Sequence, residues 1–330
     1  MHDDNAATDI SWDRVRRIAA VGEPLLELQP GGAGQIRVAF GGDVANGMVC
    51  LARLLGKTGV ELSLITALGN SGYSGWLRER LTSLGIRVNE PPHGGSGEPG
   101  IYGIPLAPGH GAAFSYWRHQ SAARAFLQVA TLANFQLLFG QPQVLLVTGV
   151  TLALCSATSF EDLCSWVRTH RHDCRVVLDT NFRRALWSSE AEARSRIGRF
   201  ERLVSLIATG LEDERALWQC ASAQDISARL GHLSIELLIR GGPEGCYVGT
   251  SRHLRHVAAS RIEAVDTAGA GDAHLAGFLA ARISGCDQLD AAHFANQVAA
   301  LIVSQIGSAA GSDLTFPPLP AGFGSKPPAI

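Results

Sequence analysis

Two stretches of this sequence place glycines and acids at spacings that suit phosphate chemistry. The run Val265-Asp-Thr-Ala-Gly-Ala-Gly-Asp272 is followed by Leu275, Phe278, Leu279 and Ile283, spaced as the buried stripe of a helix. The glycines therefore open that helix, where outward N–H groups and the helix dipole favour an anion. Gly269, Ala270 and Gly271 would form a hole for a phosphoryl group in flight, with the two glycines allowing close approach to the backbone. Asp272, in the first turn, would stand beside the landing point, where a carboxylate can accept the proton of an attacking hydroxyl. Taken alone, the run also fits an ordinary loop whose acid complements the dipole.

The second stretch, Gly41-Gly-Asp-Val-Ala-Asn46, follows a strand pattern and opens another helix. It suits a tight polar pocket with exposed backbone, and equally a plain glycine turn with an Asn near the helix start. Neither stretch is a Gly-x-x-x-x-Gly-Lys-[Ser/Thr] loop, and no Gly-x-Gly-x-x-Gly opens the first strand–helix unit. A Rossmann-type dehydrogenase is thereby disfavoured.

The two glycine loops, in this order and separation, resemble the paired signatures of the ribokinase-like (PfkB-type) carbohydrate kinases over roughly residues 16 to 312. Several further runs are similar to the members that phosphorylate 2-keto-3-deoxygluconate. They are Gly22-Glu-Pro, Gly100-Ile-Tyr102, Phe114-Ser-Tyr-Trp-Arg118, Asp179-Thr-Asn-Phe-Arg183 and Glu212-Asp-Glu-Arg-Ala-Leu-Trp218. The resemblance implies ATP-dependent phosphorylation of the 6-hydroxyl, with Gly42, Asn46, Tyr102, Tyr116, Arg118 and Arg183 around the sugar acid. Forked guanidinium donors suit a substrate carboxylate, and tyrosines offer a hydroxyl and a stacking face. Core packing is the alternative for the aromatics, preferred for Trp117 and Trp187, and a solvated face is the alternative for Arg118.

For the nucleotide, the resemblance points to Arg240-Gly-Gly-Pro-Glu-Gly245, with Gly242 and Gly245 bordering ATP, and to Asn296 near the adenine, an exposed helix Asn being the alternative. It also implies magnesium water ordered by Asp213, Glu214 or their neighbour Glu212, and a potassium ion near Asp266 and Ala268. Ser71, Gly210, Arg240, Ala273 and His274 depart from the usual pattern and bear on nucleotide affinity and on the setting of the base. A fructokinase or another sugar kinase of the same fold is the nearest alternative, and a catalytically silent sugar-acid or nucleotide sensor the more distant one.

These residues need a frame. Apolar runs at strand spacing near 18–28, 60–66, 144–150, 176–179, 206–209 and 235–239 alternate with helical patterns near 46–55, 76–84, 160–170, 197–204, 226–230 and 291–303. That rhythm predicts an α/β fold, a doubly wound, mostly parallel sheet with helices on both faces and ligands beyond the strands' carboxyl ends. The Gly/Pro-rich break between 85 and 120, with short aromatic runs, predicts hairpin strands outside the main sheet. With residues 24–40, the segment 97–120 would make a small β-sheet lid, through which a homodimer could form. Residues 1–15 read as a polar head and 316–330 as a Pro/Gly-rich tail flanking one kinase domain at 16–315.

Composition agrees with a small-molecule enzyme. The chain has 330 residues, 46% of them hydrophobic, and 28 basic against 30 acidic side chains, so it lacks the basic excess of a nucleic-acid binder. Seven scattered cysteines form no Cys-x-x-Cys pair, which argues against a zinc site or a disulfide framework. His170 and His172 lack a third ligand at metal spacing. With no signal-type segment or membrane span in view, the expected location is the cytoplasm.

Overall fold

The computed structural model describes residues 10–31, 34–104, 114–305, 307 and 314–320. Residues 1–9 of the expected polar head and those of the tail beyond 320 lie outside the described residues.

Thirteen strands make two sheets among the described residues. β1 (Arg17–Val21), β2 (Leu25–Pro30), β3 (Ile36–Gly41), β4 (Glu61–Ile65), β5 (Ile86–Asn89), β6 (Gly100–Gly103) and β7 (Ser115–Trp117) lie in the first half. β8 (Val144–Thr148), β9 (Arg175–Asp179), β10 (Leu206–Gly210), β11 (Glu236–Arg240), β12 (Cys246–Thr250) and β13 (His253–Val257) complete the set. Nine strands form the main sheet in the order β13-β12-β11-β10-β9-β8-β1-β4-β5, parallel except for the two antiparallel strands β12 and β13 at one edge. The central strands are apolar over most of their length, and β8 is buried at all five positions, as a sheet covered on both faces requires.

Helices cover both faces. Asp43–Leu55, Gly72–Ser83, Ala270–Ile283 and Gln288–Val303 pack into one core cluster, and Ala122–Val129, Leu132–Phe139, Gly149–Leu154, Ala157–His170, Glu190–Glu201, Leu211–Trp218 and Ala223–Leu230 into the other. From β1 the chain winds outward to β4 and β5, then returns to β8 on β1's other side and continues to β11. The reversal between β1 and β8 is a topological switch point, the crevice where open α/β sheets bind ligands.

The smaller sheet, in the order β3-β2-β6-β7, is the expected lid. Its register sets Glu27 beside Tyr102 and Tyr102 beside Tyr116. Strand alternation then puts Glu27, Gln29, Tyr102 and Tyr116 on one face and Ile36, Val38, Ile101 and Trp117 on the other.

Most helices begin on a side chain that accepts from the first turn, namely Ser71, Ser121, Thr131, Thr148, Ser156, Ser189, Ser222 and Asp287. Helices Asp43–Leu55, Leu211–Trp218 and Ala270–Ile283 instead begin on Gly42, Gly210 and Gly269, with no side-chain cap.

Packing reaches a few residues beyond the kinase bounds expected at 16 and 315. Trp12 is buried, donates from Nε1 to Glu236 at 3.1 Å, and lies under the guanidinium of Arg175, so ordered packing begins ahead of residue 16. At the other end Leu314, Phe316 and Leu319 pack on the core, with Arg53 over the Phe316 ring. In both places a few apolar residues in a polar stretch supply the anchoring area that average composition conceals.

Candidate active site

Asp272 sits in the first turn of helix Ala270–Ile283, whose N-cap Gly269 is left-handed at φ 73°. Asn46, from the facing helix Asp43–Leu55, donates from Nδ2 to Asp272 Oδ2 at 2.9 Å. A longer contact of 3.5 Å reaches Oδ1 from Nδ2 of Asn181, just beyond β9. Asn181 holds φ 31°, a conformation a non-glycine residue adopts only at a cost. Thus the two glycine loops, 226 residues apart in the chain, meet through Asn46 and Asp272.

Asp179, at the end of β9, takes both guanidinium nitrogens of Arg240, at 2.5 and 2.8 Å, and Arg240 also donates to the carbonyl of Gly271 at 3.0 Å. Burial raises the Asp272 carboxyl from 3.8 to about 7, and the neighbouring Asp43 and Asp179 charges push the same way against the Asn46 hydrogen bond. A carboxyl in that range is a competent proton acceptor at neutral pH.

The expected sugar-end residues are found in unequal states. Gly42 has φ 103°, and a Cβ there would stand 2.6 Å from the carbonyl of Glu23, so only glycine fits. Tyr116 is exposed and stacks on Tyr102, ring centroids 6.0 Å apart. Tyr102 is itself buried, and its hydroxyl is bonded to Glu27. Arg118, expected as an open anchor for a carboxylate, is buried and ion-paired with the buried Glu23. Its charge is thus already balanced in this conformation. Arg183 keeps about half of its side chain in solvent and lies 3.8 Å from Asp213.

On the nucleotide side, Gly242 has φ 61° with open space where a Cβ would project, whereas Gly245 is held against the Val257 carbonyl. Arg240 is turned inward onto Asp179 rather than toward the Gly242 loop. The Asn296 amide is also occupied. It meets His274 Nε2 at 3.0 Å and donates to the carbonyls of Val257 and Ala258 at 3.2 and 3.3 Å. The amide thus ties helix Gln288–Val303 to helix Ala270–Ile283 and to the end of β13. Burial lowers His274 to about 4, so this departure places a neutral imidazole on the helix of Asp272.

Of the acids expected near magnesium, Glu214 is buried and bonded to Arg229 and Thr209. Its carboxylate is engaged inside the fold. Asp213 is half-buried beside Arg183 and remains available. Among the described residues no group of three or more His, Cys, Asp or Glu could hold a metal ion. That donor set fits a magnesium held mainly by phosphate and water, with a single carboxylate nearby. Asp266 caps its own loop, accepting from the N–H groups of Ala268 and Gly307 at 2.9 Å each.

Glu23, Asp43, Asp179 and Asn181 carry no individual role in the sequence reading, although they occupy the same runs as Gly22, Gly42 and Arg183. Their signal was position at strand ends: Glu23 and Asn181 follow β1 and β9, Asp179 closes β9, and Asp43 follows the lid strand β3. Ser71, a departure from the family acid, forms a capping box with Ser74.

Comparison with known proteins gives one consistent result. The profile described as pfkB family carbohydrate kinase matches residues 16–314. A 2-dehydro-3-deoxygluconokinase of Escherichia coli (strain K12) is 30% identical over 312 residues, spanning 89% of this chain and 96% of that protein. A fructokinase of Klebsiella pneumoniae is 27% identical, spanning 80% of this chain and 83% of its own. Among solved structures, a double-mutant fructokinase from Vibrio cholerae O395 bound to fructose, ADP and potassium superposes with a TM-score of 0.75. It is 21% identical and covers 91% of this chain and 96% of its own. No helix among the described residues is long and apolar enough to cross a membrane.

Proposed function

Because the chain belongs to the pfkB family of carbohydrate kinases, we propose that it transfers the terminal phosphoryl group of ATP to the 6-hydroxyl of 2-keto-3-deoxygluconate, with Asp272 as base. The observation that carries this reading is the Asp272 carboxylate, held by Asn46 and Asn181 at a glycine-capped helix start with a proton affinity near neutrality. The hydroxyl proton passes to Asp272 as the new O–P bond forms, and the bond from phosphorus to the ADP oxygen breaks. The N-terminus at Gly269–Gly271 faces the developing charge with backbone donors. ATP would lie along the Gly242 and Gly245 loop. Magnesium, with Asp213 ordering its water, would supply neutralisation of phosphate charge.

At the far end of the substrate, Gly42 and Asn46 border the sugar, Tyr102 and Tyr116 wall it, and Arg183 offers the open cation for its carboxylate. The Glu23–Arg118 ion pair favours a second reading, a neutral sugar such as fructose. An Arg already balanced by a buried carboxylate attracts an anion weakly. A coupled ATP assay with 2-keto-3-deoxygluconate, its galactose-derived epimer and fructose separates the two. We expect the sugar acid to give the highest kcat/KM; faster turnover of fructose overturns the substrate assignment and leaves the kinase assignment intact.

The apolar lid face, with Ile36, Val38 and Trp117 exposed, supports a homodimer formed lid to lid. ATP use and seven unbridged cysteines favour the cytoplasm.

A further inference from the structure

Asp43, Asp179 and Asp272 line one cavity of about 10 Å³ together with Thr148 and the apolar side chains of Leu146 and Leu275. That volume is at the lower limit for one water molecule, so little solvent separates the carboxylates. Asp179 is balanced by Arg240. Asp43 is held differently. It accepts from the Thr148 hydroxyl and the Val44 N–H, while its Oδ2 has no hydrogen-bond partner among the described residues. Asn46 and Asn181, donating to Asp272, stabilise the charged carboxylate and by themselves weaken it as a base.

We propose that Asp43 is a positioning residue for the base: the like charge of its carboxylate, facing the same confined cavity, makes Asp272 a stronger proton acceptor than its two amide donors would leave it. This inference rests on the kinase reading. Around Asp272, Asp43 and Asn46 come from helix Asp43–Leu55, Asp179, Asn181 and Arg183 from β9 and the loop after it, and Arg240 from β11. Cys50, on the same helix as Asp43, feels the Asp272 charge but is itself held neutral by burial. On the base's own helix, His274 turns to Asn296. Burial raises the Asp43 carboxyl, and Arg118, itself paired with Glu23, and Arg183 partly offset its charge. The influences on Asp272 are thus Asp179 paired with Arg240, Asp43 in no direct ion pair among the described residues, and the nearby cations. Asp43 is the one whose removal subtracts negative charge without exposing a partner in an ion pair.

The test compares the pH dependence of kcat for wild type, Asp43→Asn and Asp43→Glu. The acid limb of Asp43→Asn should move to lower pH by about one unit, and Asp43→Glu should restore it. A purely structural role would lower kcat and leave the limb in place, which overturns the proposal. A second measurement needs no substrate: the gain in Tm from Asp272→Asn at pH 8, in wild type and in the Asp43→Asn background. That gain should be smaller where Asp43 is already neutral; equal gains refute the coupling even if the substrate assignment holds. Should Asp43→Asn not fold, Asp43→Ser keeps an uncharged residue suited to a helix start and is read in the same way.

Discussion

Asp272 is where burial, hydrogen bonding and like charge meet, and each leaves a measurable trace. Asp272→Asn should reduce kcat by about 10²- to 10⁴-fold, the usual worth of a positioned base, while substrate binding persists in calorimetry. In wild type kcat should fall as pH drops below about 7, where the carboxylate takes up its proton. Stability runs the opposite way. The folded value of about 7 lies above the ordinary 3.8, so this group's contribution is fully present below the ordinary value and lost as pH rises through 7. Asp272→Asn should therefore raise Tm at pH 8 and change it little near pH 4, as differential scanning fluorimetry would show. The motif Asp266 to Asp272 made the helix start that carries the proposed base legible in the sequence, since glycines before an apolar helix stripe announce it. Its acidic surroundings were not legible, because Asp43 and Asp179 acquire their effect only when β3 and β9 end at the same place.

At the scale of elements, β9, β11 and helix Ala270–Ile283 are fastened together by Arg240, which spans Asp179 and the Gly271 carbonyl. The family pattern marked Arg240 as a departure at a nucleotide loop; its direction could not be read, because the partner lies 61 residues away in sequence. Arg240→Ala should destabilise the protein by about 3 kcal/mol or more in urea denaturation, since it leaves Asp179 unpaired in a crowded site. Adding Asp179→Asn should recover part of that loss. An Arg240→Ala variant as stable as wild type would show the fastening to be idle. The main-sheet strands β4 and β8 to β11 were legible because buried parallel strands write continuous apolar runs, whereas β5 and the short helices Ala122–Val129, Leu132–Phe139 and Leu211–Trp218 were not read. Helix Gly149–Leu154 was absorbed into the strand run 144–150 because it is equally apolar. The edge strands β12 and β13 were missed because their half-exposed positions, His253-Leu-Arg-His-Val257 among them, mix polar with apolar residues.

At the scale of the whole molecule, the lid turns a polar face with Glu27 and Tyr102 one way and an apolar face with Ile36, Val38 and Trp117 the other. Val38→Glu should therefore convert a dimer to a monomer in sedimentation velocity with kcat retained, and a monomeric wild type would remove the lid-to-lid assembly. The order of the glycine-capped helices carries a further consequence. Gly42 and Gly269 open the two helices that bring Asn46 and Asp272 together, and Gly210 opens the helix that brings Asp213 to Arg183. Elsewhere a hydroxyl or carboxylate secures the first turn. Frayed first turns exchange their amide hydrogens readily, so the free protein should take up deuterium sooner at 43–46 and 270–273 than at the serine-capped starts 157–160 and 190–193. Adding ADP and a sugar acid should slow exchange at the former pair and leave the latter unchanged. The same two turns would then report occupancy in solution, residue by residue, without any turnover being measured.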